Sequence, residues 1–242
     1  MQSINKTVSE ESISKIVNNY QDPSIFTYLG FTGGIMGKIG QLVKFLPYTN
    51  TIVTTPCAVI CEIQKYDINL KIFDSKELSV SEFIKSLSAV IFEKINNENL
   101  CTDSFLFYAH KHNINIFMPC IDSEFAHKIL KEAPSLKLDI LSDIKAINLE
   151  NAFLPEGTKT AAIVLGVGSV KHHIFNANLF GDGLNYLILV NTSNEYDGSD
   201  SGASINEAIS WGKVGIDNDV NDCVKISCDP IYCIDNISKF FN

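Results

Sequence analysis

The stretch "EAISWGK", residues 207–213, ends on the chain's only tryptophan, a glycine and a lysine. Trp211 beside Lys213 is a pairing that can hold a cation against an apolar wall. Glu207 and Trp211 lie four apart, so on a helix they share one face. Gly212 can end that helix, and Lys213 then also suits its negative end, which is a purely structural role. Upstream, Thr192, Asp197, Asp200 and Ser201 fall in "NTSNEYDGSDSGA", where hydroxyls and carboxylates can meet a ribose or an ammonium. The same composition makes a solvated loop that caps the next helix. In "LGVGSVKHH", Gly166 and Gly168 match the first two glycines of a dinucleotide-binding turn, with Lys171 where the third belongs. A tight strand-to-helix turn explains those glycines equally well. Adjacent His172 and His173 cannot face one way on a helix, so at most one lines a site.

The charge narrows the ligand classes. Formal net charge is −9 over 242 residues, and every basic residue is lysine. Nucleic-acid binding ordinarily needs a basic surface with arginine contacts, so it is disfavoured. Arginine also commonly receives a 2′-phosphate, so any dinucleotide is expected to be NAD rather than NADP. A net-acidic chain with acidic loops suits a cationic small molecule or a basic partner. Seven cysteines without a CxxC pair argue against zinc and for reduced thiols, so no metal is expected.

The elements that must position these residues alternate between strand and helix. "IFTYLGF", "NTIVTT", "INIFMP", "AAIVLGV", "YLILVN" and "CVKIS" read as strands. "SEESISKIVNNY", "IGQLVKFL", "SVSEFIKSLSAVIFEKI", "TDSFLFYAHKH" and a terminal segment through "DNISKFF" read as helices. Fully apolar runs such as "AAIVLGV" suit buried parallel strands. The alternation predicts an α/β fold, a mainly parallel sheet with helices on both faces, in one domain over residues 1–242. Ligands in such sheets bind at the carboxyl ends of the strands, near a switch in strand order. With 45% hydrophobic residues, no stretch near the roughly 18 that a membrane helix needs, and a polar "MQSINKTVSEES" start, a soluble cytoplasmic protein is expected.

The segment "VKHHIFNANLFGDGLNYLILVNTSNEYDGSDSGASINEAISWGKV" closely resembles the deoxyhypusine synthase family. It carries paired histidines, "NAN", an acidic "DGSDSGA" loop and "SWGK"; a looser likeness extends upstream through "INIFMP", "NTIVTT" and "YLGFTGG". The resemblance implies a Rossmann-like fold and NAD-dependent transfer of the aminobutyl group of spermidine. It implies Lys213 as nucleophile, His172 as proton carrier, and Asn176, Asp200, Glu207 and Trp211 around the polyamine. An apolar wall beside a lysine favours the neutral, nucleophilic amine. Thr32, Thr55, Gly166, Gly168, Thr192, Asp197, Ser201 and Asp229 match cofactor contacts. The acceptor it implies is a lysine of the translation initiation factor 5A precursor.

The upstream half departs from the family pattern. Thr32 is followed by Gly33 and Gly34 in place of a serine and an asparagine. Ile60 and Cys61 replace two glutamates, with Glu62 one position late. Ser123 and Lys128 replace two acids, Asp122 being a candidate substitute, and Leu189 replaces a tyrosine. Family members are longer, and the N-terminal segment that blocks their site entrance is expected to be missing. Family sites lie across a dimer interface within a tetramer, and some members pair unequal subunits. The expectation is therefore a synthase subunit in a homo- or hetero-tetramer, helped by a fuller paralogue. A non-catalytic regulatory subunit and a homospermidine synthase are the rival readings.

Overall fold

The computed structural model describes residues 9–216 and 222–241. The segment 1–8, most of the polar start noted above, lies outside them. In chain order the elements are α1 (Glu10–Tyr20), β1 (Phe26–Phe31), α2 (Ile39–Leu42), β2 (Thr51–Thr54), α3 (Pro56–Lys65), β3 (Glu77–Ser79) and α4 (Val80–Glu98). Then follow α5 (Phe105–His112), β4 (Asn115–Phe117), α6 (Ser123–Glu132), β5 (Lys137–Asp139), α7 (Ile140–Ala152) and β6 (Thr160–Leu165). The last are α8 (Ser169–Ala177), β7 (Tyr186–Asn191), α9 (Ile205–Ser210), β8 (Cys223–Ser227) and α10 (Pro230–Ile237), with short 3-10 turns between.

Six parallel strands form one sheet in the order β4-β2-β1-β6-β7-β8. The chain works outward from β1 to β4, returns to β6 beside β1, and proceeds the other way. That reversal opens a crevice at the carboxyl ends of β1 and β6, the position where doubly wound sheets bind ligands. Every residue of β6 and β7 is buried, because helices cover both faces. Side chains alternate between the two layers: Ile163, Leu165, Ile188 and Val190 join one core, while Val164, Leu187 and Leu189 join the other beneath α8.

Local sequence accounts for the helix ends. Ser79 and Glu82 close a capping box on α4, whose buried stripe runs Val80, Phe83, Ile84, Leu87, Ile91, Ile95. The expected helix "IGQLVKFL" is only Ile39–Leu42, followed by a turn and a 3-10 turn over Leu46–Tyr48 that contains Pro47. A second, two-stranded sheet pairs β3 with β5; strands of three residues leave no periodic signal. Among the described residues no helix is long and apolar enough to cross a membrane.

One glycine outside the expected turn matters for the crevice. A Cβ at Gly30 in β1 would lie 2.8 Å from both Val170 and Ile174 of α8. The close seating of helix on sheet, which a third glycine in the turn would otherwise supply, comes here from the strand.

Candidate active site

Three strand ends build the crevice. Phe31 leads to Thr32, Thr54 to Thr55, and Leu165 to Gly166. Gly166 has φ +124°, and a Cβ on it would meet the Thr32 methyl at 2.7 Å, so only glycine lets the two strand ends close up. The Gly33 amide donates to the Thr55 hydroxyl at 3.0 Å, tying the second strand in. Gly168, at φ +72°, is the N-cap of α8, and no side chain caps that helix. Its first backbone N–H groups are therefore directed at the crevice, an arrangement suited to a phosphate. The sequence-expected Thr32, Thr55, Gly166 and Gly168 thus converge.

The acidic loop closes the other side. Asn194 and Asp197 form a capping box on a 3-10 turn, and Gly202 folds back so tightly that a Cβ would lie 2.0 Å from the Asn194 carbonyl oxygen. Two lysines hold this loop from beneath. Lys171, 3% exposed, donates to the Asp200 carbonyl at 2.5 Å. Lys225 donates to the Gly202 carbonyl at 2.5 Å and lies 3.6 Å from the Glu195 carboxylate. Burial, with Lys225 and Lys213 nearby, pulls the Lys171 ammonium down to about 8. Sequence reading missed both lysines as site residues. Lys225 could be suspected as a lysine within the mostly apolar strand "CVKIS", whereas Lys171, between Val170 and His172, gave no such signal.

Lys213 is placed by a helix ending. Gly212, at φ +71°, donates to Ile209 at 2.9 Å, and the Lys213 amide donates to Ala208 at 2.9 Å. This Schellman motif stops α9 and turns the next residue out. The Lys213 carbonyl then accepts from Leu184 at 3.1 Å, which pins the backbone from the far side. The Lys213 ammonium nitrogen stands 5.0 Å from the Trp211 ring centroid, the cation-on-aromatic arrangement expected of the pair. Trp211 is 43% exposed, so the wall is open on one side in the single chain.

The two histidines divide as their spacing requires. His172 is half-buried in the electrostatic field of Lys171, Asp200 and Lys213; burial first, then Lys171, hold it below the usual histidine range. Exposed Asn176, one turn on, shares its face. His173 turns to Phe117 with ring centroids 6.3 Å apart, and burial pulls it to about 4. Several expected ligand-binding carboxylates also carry local duties: one Glu207 oxygen accepts from Ser204, and Asp229 caps α10. Asp200, Thr192 and Asp197 are exposed, and Ser201 is half-buried.

Upstream, the residues that stand where the resemblance implies acids or a tyrosine have places in the fold. Ile60 is in the core at 2% exposure, Leu189 is buried beneath α8, and Asp122 is the N-cap of α6. Ser123 opens that helix, and Lys128 pairs with Glu132 at 2.6 Å. Glu62 cannot stand in for the residue at Cys61, because it is fully buried and accepts from Ser104 and from the Phe105 amide at the start of α5. Burial raises the Glu62 carboxyl from 4.5 to about 7, against those hydrogen bonds. A folded-state value above the unfolded one means a stabilising proton, fully held below about 4.5 and lost as pH rises through about 7. The change is worth about 3 kcal/mol by linkage. Glu62→Gln, which mimics the protonated acid, is expected to match wild type at pH 5 and exceed it at pH 8 in denaturant unfolding. Parallel curves at the two pH values would contradict this.

Residues 49–231 match the family model for deoxyhypusine synthase. Deoxyhypusine synthase of Encephalitozoon cuniculi is 46% identical over 140 residues, covering 57% of this chain and 39% of that protein. Homospermidine synthase 2 of Senecio vernalis is 41% identical over 143 residues, covering 57% of this chain and 36% of that protein. The matched length is thus well under half of these relatives. Among solved structures, the apo crystal structure of ArgZ, a cyanobacterial arginine dihydrolase, aligns over 99% of this chain and 33% of its own, with TM-score 0.54 and 12% identity. That likeness concerns the fold alone.

Proposed function

On the premise that this chain belongs to the deoxyhypusine synthase family, we propose that it is a subunit of an enzyme moving the aminobutyl group of spermidine through Lys213 to a lysine of the translation initiation factor 5A precursor. The observation that carries the reading is the lysine–tryptophan pair, 5.0 Å apart, at the end of a helix whose loop presents carboxylates. Asp200 and the remaining oxygen of Glu207 hold the ammonium groups of the polyamine. The Lys213 amine attacks the oxidised, imine form of spermidine, and diaminopropane leaves. The resulting imine on Lys213 then passes the aminobutyl group to the acceptor amine. His172, kept neutral by burial, carries protons between these amines.

NAD fits the residues at the crevice. Thr32, Thr55, Gly166, Gly168, Thr192, Asp197, Ser201 and Asp229 are the groups that would hold it, the uncapped start of α8 suiting its pyrophosphate. When bound it supplies the hydride acceptor for the amine and returns that hydride at the end. The open side of Trp211 suits a site completed by a neighbouring subunit in a homo- or hetero-tetramer.

A second reading, homospermidine synthesis, is favoured by the 41% identity to the Senecio enzyme. It uses the same lysine chemistry with putrescine as acceptor. Incubation with spermidine and NAD, a fuller paralogue being supplied, against either the factor precursor or putrescine decides between them. Labelled precursor supports the synthase, and labelled homospermidine the rival. Equal turnover when this chain is withheld points to a regulatory subunit. Asp200→Asn is expected to weaken spermidine roughly tenfold, the cost of one exposed charge-assisted contact, and NAD much less. An unchanged spermidine affinity in titration would reduce this loop to a cap.

A further inference from the structure

The acidic loop has an unusual foundation. Its carboxylates at Asp197 and Asp200 are exposed, while its carbonyls at Asp200, Gly202 and Ala203 point at two almost fully buried ammonium groups. Lys171 rises from α8, packed 5.3 Å from the Phe175 ring, and the Lys225 side chain, 8% exposed, from β8. A buried ammonium without partners is strongly disfavoured, so each lysine needs the loop's carbonyls as much as the loop needs it. The loop itself lacks regular structure from Gly198 to Ala203, apart from turn bonds such as Gly202 to Ser199 at 2.9 Å.

We propose that Lys171 and Lys225 are positioning residues that seat the acidic loop, carbonyls inward and the Asp200 carboxylate outward, as a preformed receptor for a polyammonium ligand. The inference rests on the reading of residues 197–213 as a polyamine site, and neither lysine touches the ligand. Preorganisation is the physical gain: a loop already held in its binding form loses little freedom when the cation arrives. Lys171 is faced by Lys225, Lys213, Asp200 and Glu207 from the other elements and by His172 on its own helix. Burial first, then Lys225 and Lys213, pull its ammonium to about 8, so above that value the contact to the Asp200 carbonyl loses its charge but keeps its N–H donor.

Lys171→Met and Lys225→Met test this, since methionine fills the same buried volume and removes only the charge and the hydrogen bonds. Amide exchange at residues 199–203 without ligand is expected to quicken at least tenfold in each variant, at an unchanged or higher unfolding midpoint. Spermidine affinity is expected to fall about tenfold in both. Unchanged exchange at residues 199–203 in both variants would overturn the seat. Faster exchange with undiminished spermidine affinity would overturn its positioning role. If even wild type binds no spermidine, the polyamine reading falls, and the exchange result alone decides the seat.

Discussion

Lys213→Ala is expected to abolish borohydride-trapped label from spermidine and to lower turnover by roughly a thousandfold or more, as loss of a covalent nucleophile does. The measurement is peptide mapping after reduction with labelled spermidine, NAD and any required partner subunit present. Two amines compete for the label on electrostatic grounds, because Lys171 lies nearby with its ammonium pulled to about 8. Geometry decides between them. Lys171 is 3% exposed and spends its nitrogen on the Asp200 carbonyl at 2.5 Å. Lys213 stands over a ring that is 43% exposed, where a ligand can reach it. Label appearing equally in Lys213→Ala would move the nucleophile to another lysine.

The legibility of this molecule follows the range of the forces involved. Local signals were read directly: the helices α1 and α4, the apolar runs of β6 and β7, and the glycine that ends α9. Each depends on residues within a turn or two. Thr32, Thr55 and Gly166 converge because the strand order reverses between β1 and β6, whereas the alternation of elements implied only that such a switch would exist somewhere. What escaped notice was set by contacts distant in sequence. Gly30 matters through Val170 and Ile174, and Lys225 through Gly202. Glu62, one position from a missing acid, looks like a substitute in the sequence. On a helix one position is a turn of about 100°, which here carries the carboxyl into the core.

That displacement separates two kinds of loss at the upstream wall. Ile60 is a core residue, so restoring a carboxylate there would bury a charge without a partner. Gly34 is different. A Cβ there would meet only the Thr32 hydroxyl, at 4.0 Å, leaving room for a side chain. The wall is thus one that this chain's own packing has closed at one point and left bare at another, while the Lys213 side retains its lysine, tryptophan, histidine and acids.

On the proposed reading, one wall of the site has its expected groups and the other lacks them, and a neighbouring subunit can supply what is missing. The purified chain alone is therefore expected to bind NAD weakly and turn over little, at most a few per cent of a mixed complex, and co-expression with a full-length paralogue to restore turnover. The open face of Trp211 gives the neighbour a place to close the site, and its burial would remove water from around the reacting amine, strengthening each charge contact there. Restored activity should depend on Lys213 of this chain and on the cofactor contacts of the other, so that variants of the two walls on opposite subunits differ sharply from the same variants combined on one. Turnover by a homogeneous preparation of this chain, as fast as the mixed complex, would mean that Ile60, Cys61 and Gly34 cost nothing. The site would then have to be complete in a homomer, with Lys213 meeting its acids and cofactor on copies of its own chain.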